Sequence, residues 1–397
     1  MTNSQCPAIH LKKDREYSIK NFHPWIFSGA IDKMEGNLQE GEQVAVYDNG
    51  NNFLGVGHYY SGSIAIRIFS FAKETINENF WERKINKALE LRKNLGFVNK
   101  SENTAFRLVH GEGDGFPGLV IDIYNQTAVI QPHTSGFLKM ADLLAEILKK
   151  NKELKLESIY LKNNKTVTQE TEINSGKFLF GKQTELIIRE DNLLFEVNIE
   201  SGQKTGFYLD QRINRKIFGD YIRDKKVLNV FSYTGGFSVY ASRGGASIIH
   251  SVDSSKSSLE GIKKNFELNK IGWNENEIIQ QDGFDFLKNM ERDFYDAIVL
   301  DPPSFAKKLS ATAKALAGYQ TINSLAMKKI KQGGLLFTFS CSQAVDTFSF
   351  RKMLMKSAIS SGREVKFIMQ FSQSPDHPVS AFHPEGEYLK GFLLWVG

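Results

Sequence analysis

Residues 229–236 read Asn229-Val230-Phe231-Ser232-Tyr233-Thr234-Gly235-Gly236, and the reading of this stretch decides the fold. An apolar run at residues 227–231 enters a glycine-bearing turn, and a helical pattern opens near Phe237. A strand that feeds a helix through a glycine turn is the opening unit of an α/β sheet. The unit repeats downstream. Short apolar runs stand at residues 248–252, 278–280, 297–300 and 335–340, and helical patterns at 255–269, 312–329 and 348–361. Runs without polar alternation mark strands buried on both faces, so residues beyond about 200 are expected to form a parallel, doubly wound sheet. Two further strands, at residues 365–371 and 388–396, complete it.

Ligands of an open α/β sheet lie at the carboxyl ends of its strands. Four signals fall there in order: the 229–236 turn, Asp253, the run Gln281-Asp282-Gly283-Phe284, and the run Asp301-Pro302-Pro303-Ser304-Phe305. Glycine lets the backbone approach a ligand, and the helix start that follows favours an anion. Asp253, about 20 residues beyond the turn, can accept from two ribose hydroxyls. Asp282 can accept from an adenine amino group. The turn lacks the Gly-x-Gly-x-x-Gly spacing of a dinucleotide site. Gly202-Gln203-Lys204-Thr205-Gly206 departs from a phosphate-binding loop, because Gln203 stands where that loop has its final glycine and Asn198 where it has its first. Any one of these acids could be a helix N-cap, but four at successive strand ends are not four caps. The constellation resembles class I S-adenosylmethionine-dependent methyltransferases. That resemblance implies the methionine carboxylate near Gly235, the ribose on Asp253 and adenine beside Asp282, with Asn229, Phe231, Tyr233 and Thr234 on the cofactor side.

Cys341, in Thr338-Phe339-Ser340-Cys341-Ser342, stands at the end of the fifth strand, beside the strand that ends in Asp301. A buried structural cysteine is the plain alternative. Chemistry favours a nucleophile: an exocyclic amine can be methylated with no covalent step, whereas carbon 5 of a pyrimidine needs a thiolate added at carbon 6 first. A free thiol titrates near pH ~8.5, so the site must help to ionise it. Asp301 can hold or protonate the ring nitrogen as the thiolate adds. Amino-group methyltransferases place an aromatic directly after Asp-Pro-Pro; here Ser304 intervenes before Phe305. Pro302, Pro303 and Phe305 are therefore expected to line the base site, with Lys307 and Lys308 on the substrate backbone.

Nearly the whole chain resembles the ribosomal RNA large-subunit methyltransferase I family. The resemblance runs through His23-Pro24-Trp25-Ile26-Phe27-Ser28-Gly29-Ala30 and His110-Gly111-Glu112-Gly113-Asp114-Gly115-Phe116-Pro117-Gly118. It continues in Lys204-Thr205-Gly206-Phe207-Tyr208-Leu209-Asp210-Gln211-Arg212, Phe339-Ser340-Cys341-Ser342, and Asp376-His377-Pro378 to Pro384-Glu385-Gly386-Glu387-Tyr388-Leu389-Lys390-Gly391-Phe392. It implies a PUA-like RNA-binding domain, an α+β middle domain and a Rossmann-like methyltransferase domain that makes 5-methylcytosine. It further implies Cys341 as nucleophile, Asp301 in the base pocket, and Gln203, Asp210 and Arg212 beside the cofactor. Related cytosine-5 enzymes carry a second cysteine after Asp-x-Pro; Ser304 occupies that slot, so adduct release must proceed without it. Uracil-5 and N6-adenine or N2-guanine methylation are the competing chemistries.

At 397 residues the chain has room for two to three domains of about 150 residues. The expected boundaries are 1–72, 73–200 and 201–397. Residues 43–47, 53–60 and 64–71 read as short strands of a small barrel or sandwich, and 78–95 as an amphipathic helix with a basic face. Strands are expected at 119–124, 128–132, 158–161, 183–189 and 193–199, a helix at 137–150 and an exposed loop at 162–177. The 50 basic and 45 acidic residues leave a net charge of +5, a mild lean toward polyanions. Lys12, Lys13, Arg15, Lys20 and the Arg83–Lys93 helix are candidate phosphate contacts on ribosomal RNA, free or in the large subunit. With only Cys6 and Cys341, a disulfide framework and a four-cysteine zinc site are excluded. No apolar run nears the ~18 residues needed to span a bilayer, and no signal peptide is read, so a soluble, cytoplasmic protein is expected. His23, His377 and His383 lack partners at ligand spacing, so no metal is expected. A homodimer is compatible with the sequence but not required by it.

Overall fold

The computed structural model describes residues 6–162, 176–275, 277–306 and 311–397. Chain contacts divide into two units: Met1–Ile188 with Val197–Phe207 and Pro375–Gly386, and Arg189–Glu196 with Tyr208–Ser374 and Glu387–Gly397.

The first unit holds two sheets. One has six strands in the order Trp25–Phe27, Ile64–Ser70, Phe53–Tyr59, Gln43–Tyr47, Ala8–Leu11, Ile31–Met34. Its pairings are antiparallel except where Ala8–Leu11 runs parallel to Gln43–Tyr47. Ile9, Leu11, Val44, Val46, Ile66 and Ile68 form its core. The second sheet has five strands, in the order Lys177–Phe180, Ser158–Leu161, Thr127–Pro132, Leu119–Tyr124, Ala105–His110. Helices Glu78–Asn94 and Ala141–Lys150 share its core, through Phe80, Trp81, Ile85, Leu144 and Leu148. Two expectations need correction. The helix expected over 137–150 is two helices, Ser135–Lys139 and Ala141–Lys150, because Met140 leaves helical geometry at φ −96 and ψ 2. Of the loop expected over 162–177, residues 163–175 lie outside the described residues, and Lys177 already begins a strand.

The second unit is the α/β layer, labelled here in its own order. Its strands are β1 (Lys226–Val230), β2 (Ile248–Asp253), β3 (Ile278–Gln280), β4 (Ala297–Leu300), β5 (Gly334–Ser340), β6 (Val365–Ser372) and β7 (Lys390–Val396). Its helices are α1 (Arg212–Asp220), α2 (Gly236–Arg243), α3 (Lys256–Leu268), α4 (Gly283–Asn289), α5 (Thr312–Lys329) and α6 (Thr347–Ser361). The sheet order is β3-β2-β1-β4-β5-β7-β6. Strands β1 to β5 are mutually parallel and follow the doubly wound order, with the switch point between β1 and β4. Alternate residues serve opposite faces. Val227, Ala297, Val299, Phe337 and Phe339 enter one core with Phe218 and Phe237; Leu228, Val230, Ile298, Leu300 and Leu336 enter the other with Tyr319, Ile322 and Phe350.

The sheet is not parallel throughout. β7 inserts antiparallel between β5 and β6. Parallel neighbours need a crossover of a dozen or more residues, usually a helix. Residues 373–389 contain only the short Pro384–Gly386 turn of helix, so the chain returns in the opposite direction. Helix α1 has no counterpart in the sequence pattern, because its buried face carries Arg212, Asn214 and Arg215 rather than an apolar stripe.

Candidate active site

Among the described residues, the turn after β1 is the most constrained backbone in the second unit's strand-end loops. Phe231 and Tyr233 both adopt left-handed conformations, at φ 61 and 46. Such conformations are costly for side chains other than glycine and cluster where function demands them. Gly235 follows at φ +77 as the residue before α2, and a Cβ there would lie 3.2 Å from Ile262. Gly283 is needed for a different reason: a Cβ would come within 2.5 Å of the Phe231 ring. The strand-end loops thus pack directly on one another.

Hydrogen bonds stitch these loops together. The Tyr233 N–H donates to Asp253 Oδ2 and the Ser255 N–H to Asp253 Oδ1, each at 2.9 Å. Asn265 donates to the Thr234 carbonyl at 2.7 Å. An ionised carboxylate offers about four acceptor positions, so two backbone donors do not exhaust Asp253. Asp282 caps α4, with Oδ1 accepting from Phe284 N at 2.8 Å and Asp285 N at 3.2 Å. Asp282 is therefore a cap after all, and Oδ2 stands outside those two bonds. Asn229 is buried, and its amide donates to Ser238, which bonds Ser251. It braces the strand from beneath.

Asp301 and Cys341 end adjacent parallel strands. Leu300 of β4 pairs with Thr338 of β5, so the two chains leave the sheet side by side. The Asp301 loop is tied to the Cys341 loop: Ser342 Oγ donates to the Ala306 carbonyl at 2.7 Å, and Ser304 Oγ reaches the same carbonyl at 2.9 Å. Pro302 is buried and Pro303 exposed. Phe305 packs inward on Tyr319, with ring centroids 4.6 Å apart, and on Phe284 at 5.8 Å. Lys307 and Lys308 lie outside the described residues.

Tyr208 and Tyr319 border both groups. Burial pushes the Tyr208 phenol up, and the charges of Asp301, Asp210, Cys341 and Tyr233 add to the rise. Burial likewise raises Tyr319, with contributions from Cys341 and Asp301. Both phenols stay protonated and can donate. Asp210 is buried and accepts from the Tyr388 hydroxyl at 2.6 Å. Arg212 donates its Nε to Glu190 at 3.2 Å, and Arg215 holds Glu190 through two bonds of 2.8 Å. This buried triad fixes α1, and the Arg215 guanidinium also reaches the Tyr208 carbonyl at 2.9 Å. Gln203, by contrast, is exposed and belongs to the first unit. Tyr208, Tyr319, Ser342 and Lys390 escape the sequence reading as site residues; Tyr208, Ser342 and Lys390 fall inside motifs that flagged their neighbourhood, and Tyr319 does not.

In the first unit His23, His383 and Glu385 converge, with candidate ligand atoms all within 4.8 Å of one another. Sequence spacing between His23 and the other two could not show this. The Trp25 N–H donates to His23 Nδ1, which leaves the proton on Nε2, 3.4 Å from Glu385 Oε1. That nitrogen is a hydrogen-bond donor to the carboxylate. His377 is elsewhere, 2.9 Å from Asp376.

The strand-end carboxylates, the glycine turn and the constrained backbone suit a ligand that carries a ribose diol, an adenine amino group and an amino-acid moiety. Comparison with known proteins agrees. Residues 9–71 match a PUA-like domain, and residues 167–382 match the S-adenosylmethionine-dependent methyltransferase family. The crystal structure of SMU.776, a candidate methyltransferase complexed with SAH, superposes with a TM-score of 0.84 at 24% identity, covering 98% of this chain and 100% of that one. Ribosomal RNA large subunit methyltransferase I of Photobacterium profundum is 38% identical, over 98% of this chain and 99% of its own. The protein of that name from an Enterobacter species is 39% identical, over 97% and 98%. With a glycine turn, Asp253 and the Asp301–Cys341 pair at the ends of one doubly wound sheet, the chain belongs to the ribosomal RNA large subunit methyltransferase I family, enzymes that depend on S-adenosylmethionine.

Proposed function

We propose that this enzyme methylates carbon 5 of a cytosine in large-subunit (23S) ribosomal RNA through a covalent adduct on Cys341, in the cytoplasm. The observation that carries the reading is the placement of Cys341 and Asp301 at the ends of the adjacent strands β5 and β4. The names of the curated relatives and the PUA-like match support RNA as substrate. Residues 1–72 and 73–200 then serve RNA binding and connection, and 201–397 the chemistry.

Asp253 would hold the ribose of the cofactor, Asp282 would accept from its adenine, and the 231–235 turn would receive the methionine end, with Asp210 as a further cofactor-side group. S-adenosylmethionine, when bound, supplies an electrophilic methyl group from its sulfonium. The target base must leave the helical stack to reach the thiolate. Cys341 adds to carbon 6, breaking the 5,6 double bond, and the electron pair displaced onto the ring nitrogen is taken up by a proton that Asp301 delivers in its acid form. Carbon 5, now electron-rich, takes the methyl group. Loss of the carbon 5 proton to a base then restores the double bond and expels the Cys341 thiolate. Tyr208 and the buried Tyr319 are available as donors, and Phe305 and Pro302 wall off water. Arg212 supports the cofactor side through Glu190 and α1.

Nucleoside mass spectrometry of treated ribosomal RNA tests this. The expected product is 5-methylcytidine. Recovery of 5-methyluridine would move the substrate to uracil, and N6-methyladenosine or N2-methylguanosine would remove the covalent step altogether.

A further inference from the structure

Lys390 opens β7, opposite Ser340 of β5 and Ser372 of β6, and is only 2% exposed. Its ammonium crosses to the turn that carries Cys341. There it donates to the Ser342 carbonyl at 2.7 Å and also to the Val345 carbonyl. The lysine is thus paired with the residue before Cys341 and bonded to the residue after it. Burying an ammonium is costly unless charge or strong acceptors compensate it, and two neutral carbonyls compensate only in part.

We propose that Lys390 is the positioning residue for the nucleophile: its buried ammonium clamps the 340–345 turn and supplies the positive field that favours the Cys341 thiolate. The proposal rests on the reading of Cys341 as nucleophile. Charges around the pair oppose one another. Asp301 ends the strand adjacent to that of Cys341, and its ionised form disfavours a second negative charge, while the Tyr208 and Tyr319 phenols, which both acids influence, stay neutral. Glu387 and Asp346 face Lys390 and help to keep it protonated. Burial lowers the Lys390 ammonium to about 8, and Cys341 is the foremost influence raising it again. Such coupling is reciprocal: whatever a thiolate does for the ammonium, the ammonium does for the thiolate.

The test uses the full chain with Cys6→Ser, so that Cys341 is the single thiol. Iodoacetamide alkylation is followed across pH in this parent, in Lys390→Met and in Lys390→Arg. Lys390→Met is expected to shift the alkylation midpoint upward and to slow alkylation at pH 7 about tenfold, one unit of thiol pKa. Lys390→Arg keeps the charge and is expected to retain the parent's midpoint, which a purely structural clamp would not predict. The acid limb of methyl transfer moves with the thiol. Equal midpoints in the parent and Lys390→Met overturn the proposal. Should Lys390→Met not fold, thiolate ultraviolet absorbance in the parent decides: a midpoint below the ordinary ~8.5 supports it, and one at or above that value overturns it. Full methyl transfer by Cys341→Ala would overturn the nucleophile reading alone, since the alkylation midpoints report the lysine's field independently.

Discussion

In the first unit, Asp122 is 0% exposed, and its carboxylate takes Nε and Nη2 of Arg107 at 2.7 and 2.8 Å, with the Thr205 hydroxyl as a third donor. In the second unit, Asp253 is half-buried at the end of β2, and its carboxylate takes one backbone N–H from each of two loops. The same side chain performs two kinds of work. Asp122 is consumed by its partners: a buried bidentate pair with a guanidinium exists to hold five-stranded sheet and turn together. Asp253 is oriented by its partners, one backbone N–H on each oxygen, and two donors do not exhaust its acceptor positions. Asp376 repeats the first pattern, accepting from Arg107 N at 2.9 Å beside a chain carbonyl that takes Arg92 at 2.7 Å. Satisfied burial marks architecture, and partial satisfaction at a strand end is what the proposed cofactor site requires.

The contrast is sharpest when each carboxylate is removed. Asp122→Ala leaves the Arg107 guanidinium buried without its counter-charge and is expected to cost about 3–5 kcal/mol in denaturant unfolding. The fraction that remains folded should bind S-adenosylmethionine normally. Asp253→Ala is expected to raise the dissociation constant of S-adenosylmethionine about ten- to a hundredfold by calorimetry, a loss of about 1.4–2.7 kcal/mol, with a smaller loss of stability. A reversal of the two outcomes would erase the distinction. Asp282 does both jobs and separates them by substitution. Asp282→Ala should lose about 1 kcal/mol with the α4 cap, whereas Asp282→Asn keeps a good capping residue and should lose cofactor affinity alone.

The smallest effect concerns acid. His58 is 4% exposed among Phe69 and Phe137, and burial, aided by Lys139, depresses it to about 4. Its folded value lies below the ordinary 6.5, so on acidification the unfolded chain binds the proton first. The stability associated with the neutral ring is complete above pH ~6.5, is lost progressively down to about 4, and is invisible at pH 7. Proton resonances of the His58 ring, followed by NMR, should stay in the neutral position down to about 4; a midpoint near 6.5 would mean that the site admits water.

Much of the second unit was legible because apolar runs are long and their carboxyl ends carry distinctive residues. Residues 278–280 and 297–300 bound their strands to the residue. What was hidden lay in charged packing and in direction. Helix α1 buries arginines on Glu190, a pattern that no hydrophobic period reveals. β7 reads as apolar either way, and only the missing crossover helix sets it antiparallel. Lys390 follows Cys341 by 49 positions, and nothing in its neighbours signals that its amine crosses to the 340–345 turn. Asp282 shows the reverse difficulty: a cap and a ligand acceptor present the same letters, and only the bonds to Phe284 and Asp285 reveal the cap.

The most direct test of the central claim is a trapping experiment. The protein is incubated with S-adenosylmethionine and ribosomal RNA that carries 5-fluorocytidine, and its intact mass is then measured under denaturing conditions. Fluorine at carbon 5 blocks the loss that would expel the thiolate, so the account predicts a stable protein–RNA adduct that disappears in Cys341→Ala. Methyl transfer to ordinary RNA without any such adduct would contradict it and leave Cys341 a structural residue.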